Sequence, residues 1–280
     1  MKERVVRIGD PVPLIGVMVQ PKALDKNKPA VVLLNSGVMH HVGACGLSVR
    51  LARSFAETGF LSVRFDFSGI GDSEPRAGSA SFEELAPKEC MEVMDYVQKK
   101  TGINKFILYG LCSGSDAAYE AALVDERVVG VGQIDAYCYK TLKFYLYDYW
   151  PKLFKLKHWK SFIGRKLGLK PESQQAHSGQ IDESEREYYE MPTYIRVFPP
   201  KASIENGLET LMKRGVRFLT VFTGAESAYS YKNQFFESFR RVIDKSLYDI
   251  EYYKNASHII QEPNNQEIVV ARFKDWVSSF

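Results

Sequence analysis

The residues best placed to do covalent chemistry are Gly110-Leu111-Cys112-Ser113-Gly114, between the apolar run KFILYGL and a stretch carrying Ala117, Ala118, Ala121 and Ala122. A nucleophile presented from a tight strand-to-helix turn needs glycine two residues before and two after it. A Cβ at either place would collide with neighbouring backbone. Cysteine at the following helix N-terminus meets backbone N–H groups and a helix dipole that favour thiolate over thiol. The same turn offers the Ser113 N–H to an oxyanion. Ser113 does not fit the glycine frame as a nucleophile, because its own two-residue neighbours are Leu111 and Ser115. The alternative is a structural thiol in a scaffold that has lost its activity.

The elements around this turn follow from periodicity. Val5 to Ile8 and Leu14 to Val19 read as a hairpin across Gly9-Asp10-Pro11. AVVLLN (30–35) and LSVRFDF (61–67) are continuous apolar runs, as expected of strands buried on both faces of a parallel sheet. Leu47, Leu51 and Phe55 recur between them at helical spacing. Ser81 and Glu84 form a capping box for a second helix, which Pro87 is expected to kink or to start. Later strands are expected at Lys105 to Leu111, Val128 to Ile134, Arg217 to Thr223 and Tyr248 to Tyr253. Helices are expected around Leu208 to Met212, at Gln234 to Ile243, and through Val269, Phe273, Trp276 and Phe280, the last capped by Asn264 and Glu267. Such alternation implies a mostly parallel central sheet flanked by helices.

At 280 residues, 45% hydrophobic and 25% charged, the chain has the profile of one large globular domain. The net charge of +3 gives no case for nucleic acid or an anionic membrane. Met1-Lys2-Glu3-Arg4 opens no signal peptide, and no apolar run spans a bilayer, so the chain reads as cytoplasmic. Cys45, Cys90 and Cys138 lack zinc-site spacing and read as small buried hydrophobes. Neither a metal nor a cofactor is expected. Residues 137–201 break the alternation and read as an inserted helical cap within a core of 1–136 and 202–280. Between Tyr139 and Lys170 this cap sets nine lysines and arginines against Asp148 alone, interleaved with aromatic residues. It is expected either to dock an anionic donor, an acyl carrier protein or coenzyme A thioester, or to be an amphipathic helix pair with a solvated basic face.

Together, Asn35-Ser36-Gly37, the stretch RFDFSGIGDS (64–73), the cysteine elbow and a late His258 resemble the α/β-hydrolase superfamily over nearly the whole chain apart from the cap. The cysteine elbow with NSG and FDFSGIGDS is most similar to exosortase-associated and serine-aminopeptidase-like hydrolases. The resemblance implies an α/β-hydrolase fold and a second oxyanion donor from the backbone around Gly37 and Val38, facing Cys112. It implies His258 as general base, because this residue follows the final strand and precedes the final helix. Ser257 stands before it where many relatives have aspartate. Two carboxylates remain open as the acid: Asp135 after the fourth core strand, and Glu226 after RFLTVFT, one residue before the usual position. A slight preference goes to Asp135, a place used by cysteine cyclases of this fold. His40 and His41 line the pocket or serve as solvated or capping residues.

The expected activity is acyl transfer from a thioester or activated ester through a Cys-His-acid triad, taking a small-molecule acyl substrate. A Dieckmann-type or lactonising cyclase acting on a carrier-bound chain is the alternative. A non-catalytic ligand-binding protein is the reading from a different class.

Overall fold

The computed structural model describes residues 1–78, 81–153 and 196–280. Eight strands form one sheet in the order β1-β2-β4-β3-β5-β6-β7-β8. The hairpin of β1 (Lys2–Ile8) and β2 (Leu14–Gln20) is antiparallel and joins the rest antiparallel through β4 (Ser62–Phe65). The remaining strands, β3 (Ala30–Leu33), β5 (Phe106–Leu111), β6 (Val128–Ile134), β7 (Arg217–Thr223) and β8 (Tyr248–Tyr253), pair in parallel. Their C-terminal ends therefore lie along one edge, where loops converge on a common site.

Helices cover both faces. On β3, Ala30 and Val32 join the core under α2 (Phe82–Thr101), α3 (Ser113–Val124) and α5 (Lys201–Lys213). Val31 and Leu33 point the other way, into the core under α1 (Leu47–Glu57) and α7 (Pro263–Ser278). This alternation on a fully buried strand is why the strand sequences are continuously apolar rather than half polar. α4 (Leu142–Leu153) follows β6, and the short α6 (Gln234–Ser238) follows β7.

Three local expectations change. α2 starts at Phe82 and runs through Pro87, with Ser81 N–H donating to Glu84 Oε2 at 3.3 Å. The missing N–H of Pro87 falls early in a 20-residue helix whose buried side, Ala86, Cys90, Val93, Met94 and Val97, holds it against the sheet. α6 ends at Ser238 instead of Ile243, where a turn seats Phe239 fully in the core. α7 begins with Pro263 after Glu262, so Asn264 and Glu267 lie inside it rather than capping it.

Of the expected cap, the described parts are 137–153 and 196–201. The polar stretch and most of the basic residues, including Lys155, Lys157 and Lys160, lie outside the described residues. Among the described residues no helix is long and apolar enough to cross a membrane. Cys90 and Cys138 are buried as expected, whereas Cys45 is exposed.

Candidate active site

β5 delivers Cys112 to the sheet edge and α3 leaves immediately after it. Cys112 has φ 53° and ψ −117°, a strained conformation outside the regular regions. Both flanking glycines are needed for it. A Cβ on Gly110 would strike the Gly114 carbonyl, and one on Gly114 would strike the Asn35 carbonyl oxygen at the end of β3. The turn is thus wedged between its own helix and the neighbouring strand, and the half-buried Cys112 is presented at its apex.

His258 reaches this apex from the loop between β8 and α7. The fully buried Ile260 anchors that loop, at φ 49°. The Nδ1 of His258 lies 2.7 Å from Asp135 Oδ2, while Cys112 is a second hydrogen-bond partner of the ring. The hydrogen bond to Asp135, then that to Cys112, raise the imidazolium pKa to about 10 against the cost of burial. Asp135, completely buried at φ 51°, also accepts from Thr223 N at 2.7 Å and Thr223 Oγ1 at 2.8 Å. Its side chain is therefore fixed before it meets the histidine.

Glu226, the other acid expected from the sequence, is engaged elsewhere. Its Oε1 accepts from Ala228 N at 2.9 Å and its Oε2 lies 3.8 Å from Arg196 Nη1. Arg196 had no signal in the sequence. Its guanidinium forks onto Asp116 at 2.7 and 2.8 Å and donates to the Asp135 backbone oxygen at 2.8 Å. Burial opposes this charge, yet Asp116 and the negative form of Cys112 raise its pKa. Burial outweighs the guanidinium at Asp116, whose carboxyl is pushed up to about 6.

The loop after β3 is clamped by Asp66. This buried carboxylate accepts from Asn35 Nδ2 at 2.7 Å, His41 Nδ1 at 2.7 Å and Asp72 N at 3.0 Å. Burial opposes ionisation, but these hydrogen bonds outweigh it and hold the carboxyl below its ordinary value. Asn35 also donates to the Met39 oxygen at 2.6 Å. The NSG and FDFSGIGDS motifs are therefore two halves of one clamp. His41 is a buried member of it and is not solvated, whereas His40 is partly exposed, sits 3.1 Å from Asp72 and accepts from the Val42 N–H at 3.3 Å, in keeping with the solvated or capping reading. His40, His41, Asp66 and Asp72 place four potential metal-ligand atoms within 4.8 Å of one another. Those atoms are already paired by the hydrogen bonds just described.

Within the clamped loop, Gly37 N–H donates to Ser113 Oγ at 2.7 Å, so the Ser113 side chain occupies one expected oxyanion donor. The Val38 and Ser113 N–H groups have no partner among the described residues. A cavity of only about 30 Å³ borders Ser113, lined by Phe82, Asp116, Ala117, Glu120, Tyr137 and Val197. A cleft of about 790 Å³ is lined by Leu142, Lys143, Phe236, Arg240, Ile243 and Lys245 among others, and shares no residue with the Cys112 site.

No protein-family model matches the chain, and no curated protein matches it in sequence. Solved structures do match in shape. Est1E from Butyrivibrio proteoclasticus, solved with ferulic acid, superposes with a TM-score of 0.60 at 16% identity, covering 97% of both chains. The carboxylesterase CesB (YbfK) from Bacillus subtilis gives 0.59 at 17% identity, covering 100% of this chain and 93% of its own. An alpha-beta serine hydrolase homologue from Coxiella burnetii gives 0.54 at 13% identity, covering 99% and 96%. With its eight-stranded, mostly parallel sheet between two helical layers, the chain has the α/β-hydrolase fold.

Proposed function

We propose that the protein is an acyl-transfer enzyme in which Cys112 is the nucleophile, His258 the proton carrier and Asp135 the residue that orients His258. The observation that carries this reading is the single imidazole ring bridging Asp135 and Cys112. With Nδ1 engaged by Asp135, Nε2 is the nitrogen left to exchange a proton with the thiol.

His258 takes the Cys112 proton, and the resulting thiolate attacks the carbonyl carbon of a thioester or activated ester. The N–H groups of Ser113 and Val38 receive the oxyanion. Gly37 supports the same hole indirectly, its N–H holding Ser113 Oγ. The intermediate collapses by breaking the bond to the leaving group, which takes the proton from His258. An acyl-cysteine and a neutral imidazole remain. His258 then accepts a proton from water, an alcohol or an amine as that group attacks, and Cys112 leaves as thiolate. An enolate carbon of the same chain would give ring closure instead. Thioester exchange is close to isoenergetic, which suits cysteine to an activated donor. Arg240 and Lys245 in the large cleft, with the basic cap segment, suit the phosphates of a coenzyme A or acyl-carrier donor.

Iodoacetamide labelling over a pH series tests the site. Cys112 is expected to react quickly below the pH at which free cysteine does, and to lose that advantage in His258→Ala. Ordinary thiol reactivity in the wild type would favour a ligand-binding protein on this fold.

A further inference from the structure

We infer that Arg196 is a positioning residue of this site, holding the turn that carries Asp135 and so the carboxylate that orients His258. The inference rests on the cysteine-nucleophile reading above and adds to it the residue through which the chain returning from the expected cap acts on the Asp135–His258 pair.

Arg196 joins parts of the fold that no other side chain described above links. It reaches Asp116 in the first turn of α3, the backbone oxygen of Asp135 beyond β6, and Glu226 after β7. Its side chain is 12% exposed, and the aromatic faces of Phe198 and Tyr137 lie 4.8 and 5.4 Å from the guanidinium carbon. The planar fork is needed for this arrangement. Two nitrogens meet the two oxygens of Asp116, and the outer one also meets the Asp135 carbonyl, which a lysine ammonium cannot reproduce with the same orientation.

Asp135 is held in a left-handed conformation, at φ 51°, that a residue with a Cβ adopts only at a cost. Thr223 fixes its side chain and Arg196 fixes its carbonyl, so the two together determine where Oδ2 meets His258.

Arg196→Met should shift the alkylation profile of Cys112 toward higher pH and slow labelling at neutral pH about tenfold, as expected when the Asp135 turn that orients His258 is no longer held. Arg196→Lys should have a smaller effect on the profile but should still broaden or move the low-field Nδ1 proton resonance of His258, because the Asp135 carbonyl loses its fixed donor. A residue that only stabilised the fold would shift melting temperature and leave both readouts in place. If Arg196→Met does not fold, Arg196→Met combined with Asp116→Asn removes the buried pair as a unit and is read instead. Unchanged profile and resonance in a folded Arg196 variant overturn the inference. Ordinary reactivity in the wild type itself would instead overturn the cysteine-nucleophile reading.

Discussion

The imidazole of His258 lies 2.7 Å from the carboxylate of Asp135, across 123 positions of sequence, and Glu226 is turned away toward Arg196. Asp135→Asn should therefore lower kcat/KM for acyl transfer by on the order of 10³-fold, as expected when the orienting acid of such a triad is lost. Glu226→Gln should cost less than about tenfold, since among the described residues the Glu226 side chain meets only Arg196 and the Ala228 N–H, which a glutamine oxygen can still accept from. Steady-state kinetics of the two variants side by side check the assignment.

The hydrogen bonds of His258 also make stability depend on pH. Its folded pKa of about 10 lies above the ordinary value of about 6.5. This contribution is fully present below about pH 6.5 and is lost as pH rises through about 10. The ring is more than a third exposed, so the effect is small and screened by salt. The difference in melting temperature between wild type and His258→Gln should narrow between about pH 7 and 10.5. A constant difference would show that the ring is not held as an imidazolium.

Ser113 supplies a test that separates nucleophile from oxyanion site. Removing its hydroxyl frees Gly37 N–H and loosens the loop that carries Val38. Ser113→Ala should leave iodoacetamide labelling of Cys112 unchanged, because alkylation forms no oxyanion. It should slow acyl transfer by roughly tenfold, the effect of about one lost hydrogen bond on the transition state.

The Asp66 clamp is structural first. Asp66→Ala leaves Asn35, His41 and the Asp72 amide without their buried acceptor. A loss of about 3 kcal/mol in unfolding free energy is expected from denaturant titration.

Much of this fold was legible because the physics is local. β6 and β7 fall on the stretches expected from apolar runs, since strands buried on both faces leave no other pattern, and the edge strand β8, which keeps Asp249 exposed, also falls where a strand was expected. The elbow was legible because Gly110 and Gly114 are demanded by backbone approach, not by preference. The choice between Asp135 and Glu226 was not legible, because both follow parallel strands and only the folded β8–α7 loop shows which one His258 meets. Arg196 was invisible for a related reason. Nothing in Tyr194-Ile195-Arg196-Val197 distinguishes it from a surface arginine until Asp116, Asp135 and Glu226 are brought around it. Likewise His41 reads as solvated until Asp66, just after β4, buries it. α6 stops early because tertiary burial of Phe239 outweighs helical periodicity.

The central claim is covalent chemistry at Cys112, and intact-protein mass spectrometry after exposure to a panel of acyl thioesters and activated esters tests it most directly. The wild type should gain the mass of one acyl group, mapped by peptide analysis to Cys112, and Cys112→Ala should gain none. An adduct of the same size and rate in Cys112→Ala would contradict the account.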